Sequence, residues 1–124
     1  MMSTMIKPNE PNESNQICYQ SEDLQDLCSK FHHTIELIGK RWNGIIIYHL
    51  LNGPLRYHEL LAKITGISDR LLTERLRELE KEGIVIKIID PQSSRKVKYQ
   101  LTESGQQLET VINDLIIWIV NYSK

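Results

Sequence analysis

The chain has 124 residues, 40% of them apolar, and a formal charge of −1, which allows one modest core in a single domain. Two cysteines, Cys18 and Cys28, are too few for a disulfide-stapled secreted scaffold. The N-terminus, MMSTMIKPNEPNESNQ, lacks the apolar run of a signal peptide, and LIIWIV at 115–120 falls far short of the roughly 20 residues a membrane span needs, so a cytoplasmic protein with no membrane association is expected.

Residues 1–20, rich in Asn, Ser, Pro and Glu, read as a disordered tail. From Ser21 the pattern turns helical: Ser21 can cap, Glu22 and Asp23 suit a helix N-terminus, and Leu24, Leu27, Phe31, Ile35 and Ile38 recur at steps of three or four. A second helix is predicted from Arg41 to Leu51, apolar over most of its circumference and therefore central, and Asn52-Gly53-Pro54 stops it. A third runs from Tyr57 to Ile64. Thr65-Gly66-Ile67 is a short glycine turn, after which Ser68 caps a fourth helix that ends at Gly83. Two helices joined by such a turn match the helix-turn-helix motif.

The period then changes. Ile84 to Ile89 is rich in β-branched residues and reads as a strand, Asp90 to Ser94 as a polar turn, and Arg95 to Leu101 as a half-exposed return strand. Thr102 caps a last helix expected to run unbroken to about Asn121. The fold class is mainly α with a small β-hairpin: a winged helix-turn-helix over residues 21–124 with additional N- and C-terminal dimerisation helices.

Charge is unevenly placed. Residues 40–98 carry twelve Lys or Arg against seven acids, while the segments on either side are net acidic. A basic block between acidic ends points to a polyanion partner, here double-stranded DNA. On a wheel of the fourth helix, Leu72, Leu76 and Leu79 define the buried stripe, and Arg70, Thr73, Glu74, Arg77 and Lys81 fall on the opposite side. Ser68 and Asp69 join them at its N-terminal end. Arg can read guanine O6 and N7, and Thr can touch a thymine methyl or bond a base edge. A mixed-charge solvated face would look the same on an isolated helix; the preceding turn and the basic hairpin favour a recognition helix. Arg95, Lys96 and Lys98 on the wing are candidates for phosphate or minor-groove contact. Arg56, Lys40 and Arg41 are further phosphate candidates, each able instead to pair with a local acid.

The last helix is too apolar between Leu115 and Val120 to be covered by its own small core. A second copy is the expected partner, with Leu24, Leu27, Phe31, Leu115, Trp118 and Ile119 at the interface. Such a homodimer would set two recognition helices about 34 Å apart on a near-palindromic operator. No spacing of His, Cys or acids suits a metal, no glycine loop suits a phosphate cofactor, and no nucleophile context is visible, so no metal, cofactor or enzymatic activity is expected. The alternative function is a winged-helix protein-interaction module without DNA binding.

The segments ELIGKRW (36–42), LLNGPLRYHEL (50–60), GISDRLLTERLRELEKEGIV (66–85) and RKVKYQLTESG (95–105) resemble the HxlR family of bacterial transcriptional regulators, in the family's order and over residues 29–120. The resemblance implies a dimeric winged helix that binds near promoters and represses or activates neighbouring genes, with Ser68–Glu82 as recognition helix and Lys96 in the wing. Gly39-Lys40-Arg41-Trp42 stands where the family commonly has Gly-Gly-Lys-Trp. Some members sense oxidants or electrophiles through a cysteine, usually followed by proline, near the start of the first helix. That column falls on Ser29, with Cys28 one residue away and no proline. Cys28 is therefore the candidate redox residue, against the alternative of a small semi-buried side chain beside Leu24, Leu27 and Phe31, and Cys18 is the weaker candidate. The interface helices offer an expected pocket for an aromatic or electrophilic effector.

Overall fold

The computed structural model describes residues 21–123; the predicted tail, with Cys18, lies outside them. The chain divides after Glu36 into two units. The described part of the first is α1 (Ser21–Gly39), whose last three residues belong to the second unit. Leu24, Leu27, Phe31 and Ile35 share the predicted apolar periodicity and are all exposed.

The second unit holds α2 (Asn43–Leu50), β1 (Leu55–Arg56), α3 (Tyr57–Lys63), α4 (Asp69–Lys81), β2 (Val85–Asp90), β3 (Ser93–Leu101), α5 (Glu103–Gln106) and α6 (Glu109–Tyr122). Its core is formed by Ile46, Ile47 and Leu50 of α2, Leu60 of α3, Leu72, Leu76 and Leu79 of α4, Val85, Leu101 and Ile112. The centrally buried α2 and the leucine stripe of α4 match the sequence pattern.

Three details depart from it. The second helix starts two residues late, because Trp42 takes a left-handed conformation (φ 83°) and closes a turn in which the Asn43 N–H bonds Lys40 O at 3.0 Å. That conformation costs an L-residue about 1–2 kcal/mol. The indole offsets it by packing on the core and by lying against Gly66, where an added Cβ would sit 3.5 Å from its Cη2. The sheet has three antiparallel strands in the order β1-β3-β2, the two-residue β1 pairing Leu55 with Tyr99 and Arg56 with Lys98. The last helix is broken at residues 107–108. Its first piece is pinned by Thr102, whose Oγ1 accepts from the Gly105 N–H (3.1 Å) and donates to Gly83 O (2.6 Å). Gly105 sits so close to the backbone just before β2 that a Cβ there would collide with Ile84 O.

Candidate nucleic-acid interface

Local chemistry fixes both ends of α4. The Ser68 hydroxyl accepts from the Leu71 N–H at 3.1 Å, Asp69 lies in the first turn and Lys81 in the last, each charge matching the helix dipole. With Leu72, Leu76 and Leu79 buried, Arg70, Glu74, Arg77 and Lys81 are exposed, as are Ser68 and Asp69. Arg70 Nε is paired with Glu74 Oε2 at 3.2 Å across one helical turn. An exposed pair of this kind contributes at most about 1 kcal/mol, so a phosphate or guanine can displace it.

Thr73 departs from the wheel. It is half-buried, and its hydroxyl lies 3.0 Å from Asp69 O and 3.1 Å from the hydroxyl of Tyr57. Tyr57, the first residue of α3, also donates toward Asp69, with Oδ1 at 2.5 Å and the backbone O at 2.7 Å. Burial and the Asp69 carboxylate hold the Tyr57 phenol above its usual pKa. Asp69 and Thr73 are therefore engaged within the fold and are not free polar groups on an open face. Tyr57 was not singled out in the sequence; twelve residues separate it from Asp69, beyond the reach of helical or strand periodicity.

The inner side of α4 is tied to the turn before α2. Glu78 accepts from Lys40 Nζ (2.9 Å) and Asn43 Nδ2 (3.2 Å), and Asn43 Nδ2 also reaches Leu37 O (2.8 Å). The Lys40 hydrogen bond is the chief reason that the Glu78 carboxyl lies below the ordinary range, against an opposing effect of burial. Asn43 is completely buried, and its Oδ1 has no hydrogen-bond partner among the described residues. Of the two phosphate candidates here, Lys40 is thus paired with an acid. Arg41 stacks its guanidinium 4.8 Å from the Trp42 ring centroid and gives its carbonyl to Arg75 Nε.

Strand alternation and register put Arg56, Lys98 and Lys96 on one face of the wing. With Ile88, Asp90 and Pro91 they line a pocket of about 290 Å³. Arg56 and Lys98 are direct cross-strand partners, and like charges so placed repel unless an anion lies between them. β1 thus carries Arg56 to the wing, a placement the helix-entry assignment did not foresee. Glu59 accepts from the Arg56 N–H at 2.7 Å, the main cause of its lowered pKa. The side chain of Arg95 lies outside the described residues.

The C-terminal helix presents the opposite chemistry. Of its fourteen residues only Ile112 is buried, while Leu115, Trp118 and Ile119 are 49, 55 and 47% exposed. Gly44, Ile45 and Tyr48 of α2 and Ile112, Leu115, Ile116 and Ile119 of α6 line an open, almost wholly apolar pocket of about 320 Å³. Cys28 is exposed on α1 as a free thiol, not semi-buried. Among the described residues no three His, Cys, Asp or Glu side chains converge as metal ligands, and no helix is long and apolar enough to cross a membrane.

Comparison with known proteins agrees with this geometry. Residues 37–124 match the family model described as HxlR-like helix-turn-helix. The HTH-type transcriptional regulator YodB of Bacillus subtilis is 42% identical over 92 residues, covering 74% of this chain and 82% of YodB. The uncharacterized regulator YvaP of the same organism is 33% identical over 97 residues, covering 78% and 90%. Among solved structures, quinone-bound YodB from B. subtilis aligns with a TM-score of 0.69 at 39% identity, covering 77% of this chain and 100% of that one. The redox regulator HypR in its oxidized form aligns with a TM-score of 0.69 at 34% identity, covering 77% and 98%. A winged helix-turn-helix with Arg70 and Arg77 exposed on α4 and a basic wing, matched along this length by such regulators, has one assignment: the chain belongs to the HxlR-like helix-turn-helix family and is a DNA-binding transcriptional regulator.

Proposed function

We propose that the protein acts in the cytoplasm as a homodimer, setting two copies of α4 into successive major grooves of an operator with approximate two-fold symmetry. The observation that carries this is the apolar surface of α6, whose Leu115, Trp118 and Ile119 stay about half exposed among the described residues. Contiguous apolar surface of this kind marks an interface. Leu24, Leu27 and Phe31 of α1, which are exposed, also take part in self-association. Arg70 and Arg77 read bases from the exposed side of α4, with Ser68, Asp69, Thr73 and Glu74 at its N-terminal half and Lys81 on the backbone. Arg56, Lys96 and Lys98 take phosphates from the wing, Arg95 extends the contact at its tip, and Arg41 is an outlying phosphate contact. Sedimentation should give a dimer, and duplexes from the protein's own upstream region should bind specifically and weaken steeply with salt. A monomer at micromolar concentration would overturn the dimer.

YodB has been solved with quinone bound and HypR in oxidized and reduced forms. The exposed thiol of Cys28 supports a similar responsiveness here, in which an oxidant or electrophile modifies Cys28 and changes operator affinity. Cys28→Ser should abolish the response to a quinone while leaving untreated binding unchanged. An unaltered response would remove Cys28 from the mechanism.

A further inference from the structure

Arg56, Lys96 and Lys98 line one pocket of the wing, and none of the three makes an ion pair among the described residues. Two acids stand near them, Asp90 in the pocket wall and Glu59 in the first turn of α3, and both are already engaged with the backbone. Glu59 Oε1 accepts from the Arg56 N–H at 2.7 Å, and Asp90 Oδ1 accepts from the Gln92 N–H at 2.9 Å in the hairpin turn. The cations are left to a partner from outside.

Within this group Arg56 and Lys98 form a pair. They are direct partners in the antiparallel ladder, so their side chains share a face with Cβ atoms about 5 Å apart. A guanidinium and an ammonium at that spacing, with no carboxylate between them, repel. One tetrahedral oxyanion with oxygens turned to both removes the repulsion and accepts charge-assisted hydrogen bonds from each. Ile88, the partner of Lys98 on β2, and Pro91 give the pocket an apolar side, where such bonds compete less with water. Lys96 lies on the same face two residues further along β3, about 6.7 Å away, and so meets a different point of an extended polyanion.

We propose that Arg56 and Lys98 form one oxyanion site that holds a single phosphodiester group of the operator backbone, both cations on the same phosphate, with Lys96 on the next. This rests on the wing meeting DNA. Arg56 leads directly into α3 of the helix-turn-helix, whereas Lys98 belongs to the wing hairpin. Their shared phosphate therefore fixes the register of both parts on the duplex, a positioning contact that carries no base preference of its own.

The test is a scan of an operator duplex, selected from randomised DNA by the full-length wild type, in which each phosphate in turn is replaced by an uncharged methylphosphonate. For the wild type, one phosphate per half-site should cost about tenfold in affinity when neutralised, the value of a hydrogen bond to a charged group. Arg56→Gln and Lys98→Gln should each cut that penalty to about threefold, at the same phosphate and no other, and the double variant should show none there. Lys96→Gln should keep the full penalty at that phosphate and reduce the one beside it. Should Arg56→Gln fail to fold, Arg56→Lys keeps the stem and charge but loses the guanidinium fork, and should lower the penalty at the same phosphate by a smaller factor.

Effects of the Arg56 and Lys98 variants on two different phosphates would overturn the shared site while leaving operator binding intact. So would penalties unaltered at every position in both variants, or a Lys96→Gln effect on the same phosphate, which would mean a diffuse basic field. Inorganic phosphate titrated into the DNA-free protein separates the operator from a soluble source. Saturable binding at micromolar concentration that is lost in Lys98→Gln, with no sensitive operator phosphate, would assign the pocket to a free phosphate ligand and overturn the proposal. A wild type that selects no duplex at all would instead remove α4 and the wing from DNA together.

Discussion

Two helices of nearly equal length, α4 with thirteen residues and α6 with fourteen, solve the problem of amphipathicity differently. In α4 every large apolar residue of the stripe, Leu72, Leu76 and Leu79, is buried in its own chain, and the exposed positions, Asp69, Arg70, Glu74, Arg77 and Lys81, are all charged. In α6 the first third is similarly anchored by Ile112, but the apolar run from Leu115 to Val120 is left exposed among the described residues. One helix is complete as part of a monomer and keeps its polar side for a wet, salt-sensitive partner. The other is complete only against a second apolar surface. On the proposed function, the molecule separates what reads DNA from what sets the spacing of two readers.

The sharpest way to break the comparison is to truncate one leucine in each helix. Leu72→Ala should cost about 2–5 kcal/mol of folding stability, because a fully buried side chain leaves a cavity among Ile46, Leu60 and Leu76. Leu115→Ala should leave denaturation of the dissociated chain within about 0.5 kcal/mol of wild type and weaken self-association instead, since surface truncations are nearly neutral. Denaturant titration at several protein concentrations distinguishes the two. Equal losses would show that α6 is part of the monomer core after all.

Next in size is loss of the dimer. Trp118→Glu places a charge on the exposed apolar side of α6 and should yield a monomer by sedimentation. Operator affinity should fall about 100-fold or more, because the second half-site no longer binds at the high effective concentration that linkage provides. Dimer dissociation without loss of operator affinity would mean that the operator is read by one subunit.

Within the DNA-facing surface, helix and wing should differ in kind. Arg77→Ala is expected to lose about 1–3 kcal/mol per half-site and to relax selection at one base pair in each. Lys98→Ala should weaken all sequences alike and lower the salt slope by about 1.8, the value of one phosphate in each half-site. Anisotropy titrations on specific and scrambled duplexes over a salt series read both. A wing variant that altered base preference would place Lys98 on a base edge.

How far the sequence carried this depends on range. The leucine stripe of α4, its Ser68 cap and the stop at Gly83 were legible because each signal lies within a turn or two of its consequence. The strand β1 was not, since Leu55 and Arg56 become a strand only by pairing with Tyr99 and Lys98 some forty residues on. The break between α5 and α6 was equally hidden, because no Gly or Pro stands at residues 106–108 and the segment is fixed by Thr102 reaching Gly83 and Ile84. For the site, charges were legible by type and face, but their partners were not. Lys40 finds Glu78 thirty-eight residues away, and Tyr57 finds Asp69 across the helix-turn-helix turn. The exposed apolar surface of α6 was legible because an apolar run on this last helix exceeds what its own small core can cover.

The smallest expected effect concerns the polar tie behind α4, where the Glu78 carboxyl is held below its ordinary pKa of 4.5 chiefly by the hydrogen bond from Lys40. A depressed carboxylate binds fewer protons folded than unfolded, so its contribution is complete above pH 4.5 and fades as the pH falls through its folded value. The Glu78 and Lys40 side chains are 30 and 45% exposed, which limits the contribution to under about 1 kcal/mol. His49 acts in a separate window. Its burial, aided by Lys63, lowers an imidazole pKa from 6.5, so the folded state loses ground as soon as the pH drops below that value. Glu78→Gln keeps hydrogen-bonding atoms but removes the charge. Its stability deficit relative to wild type should be constant from pH 7 to about 5 and shrink below pH 4.5, whereas the loss due to His49 is common to both proteins. A deficit that persisted unchanged at pH 3 would show that Glu78 holds α4 through hydrogen-bond geometry alone, and that the charge of Lys40 is available to a DNA phosphate.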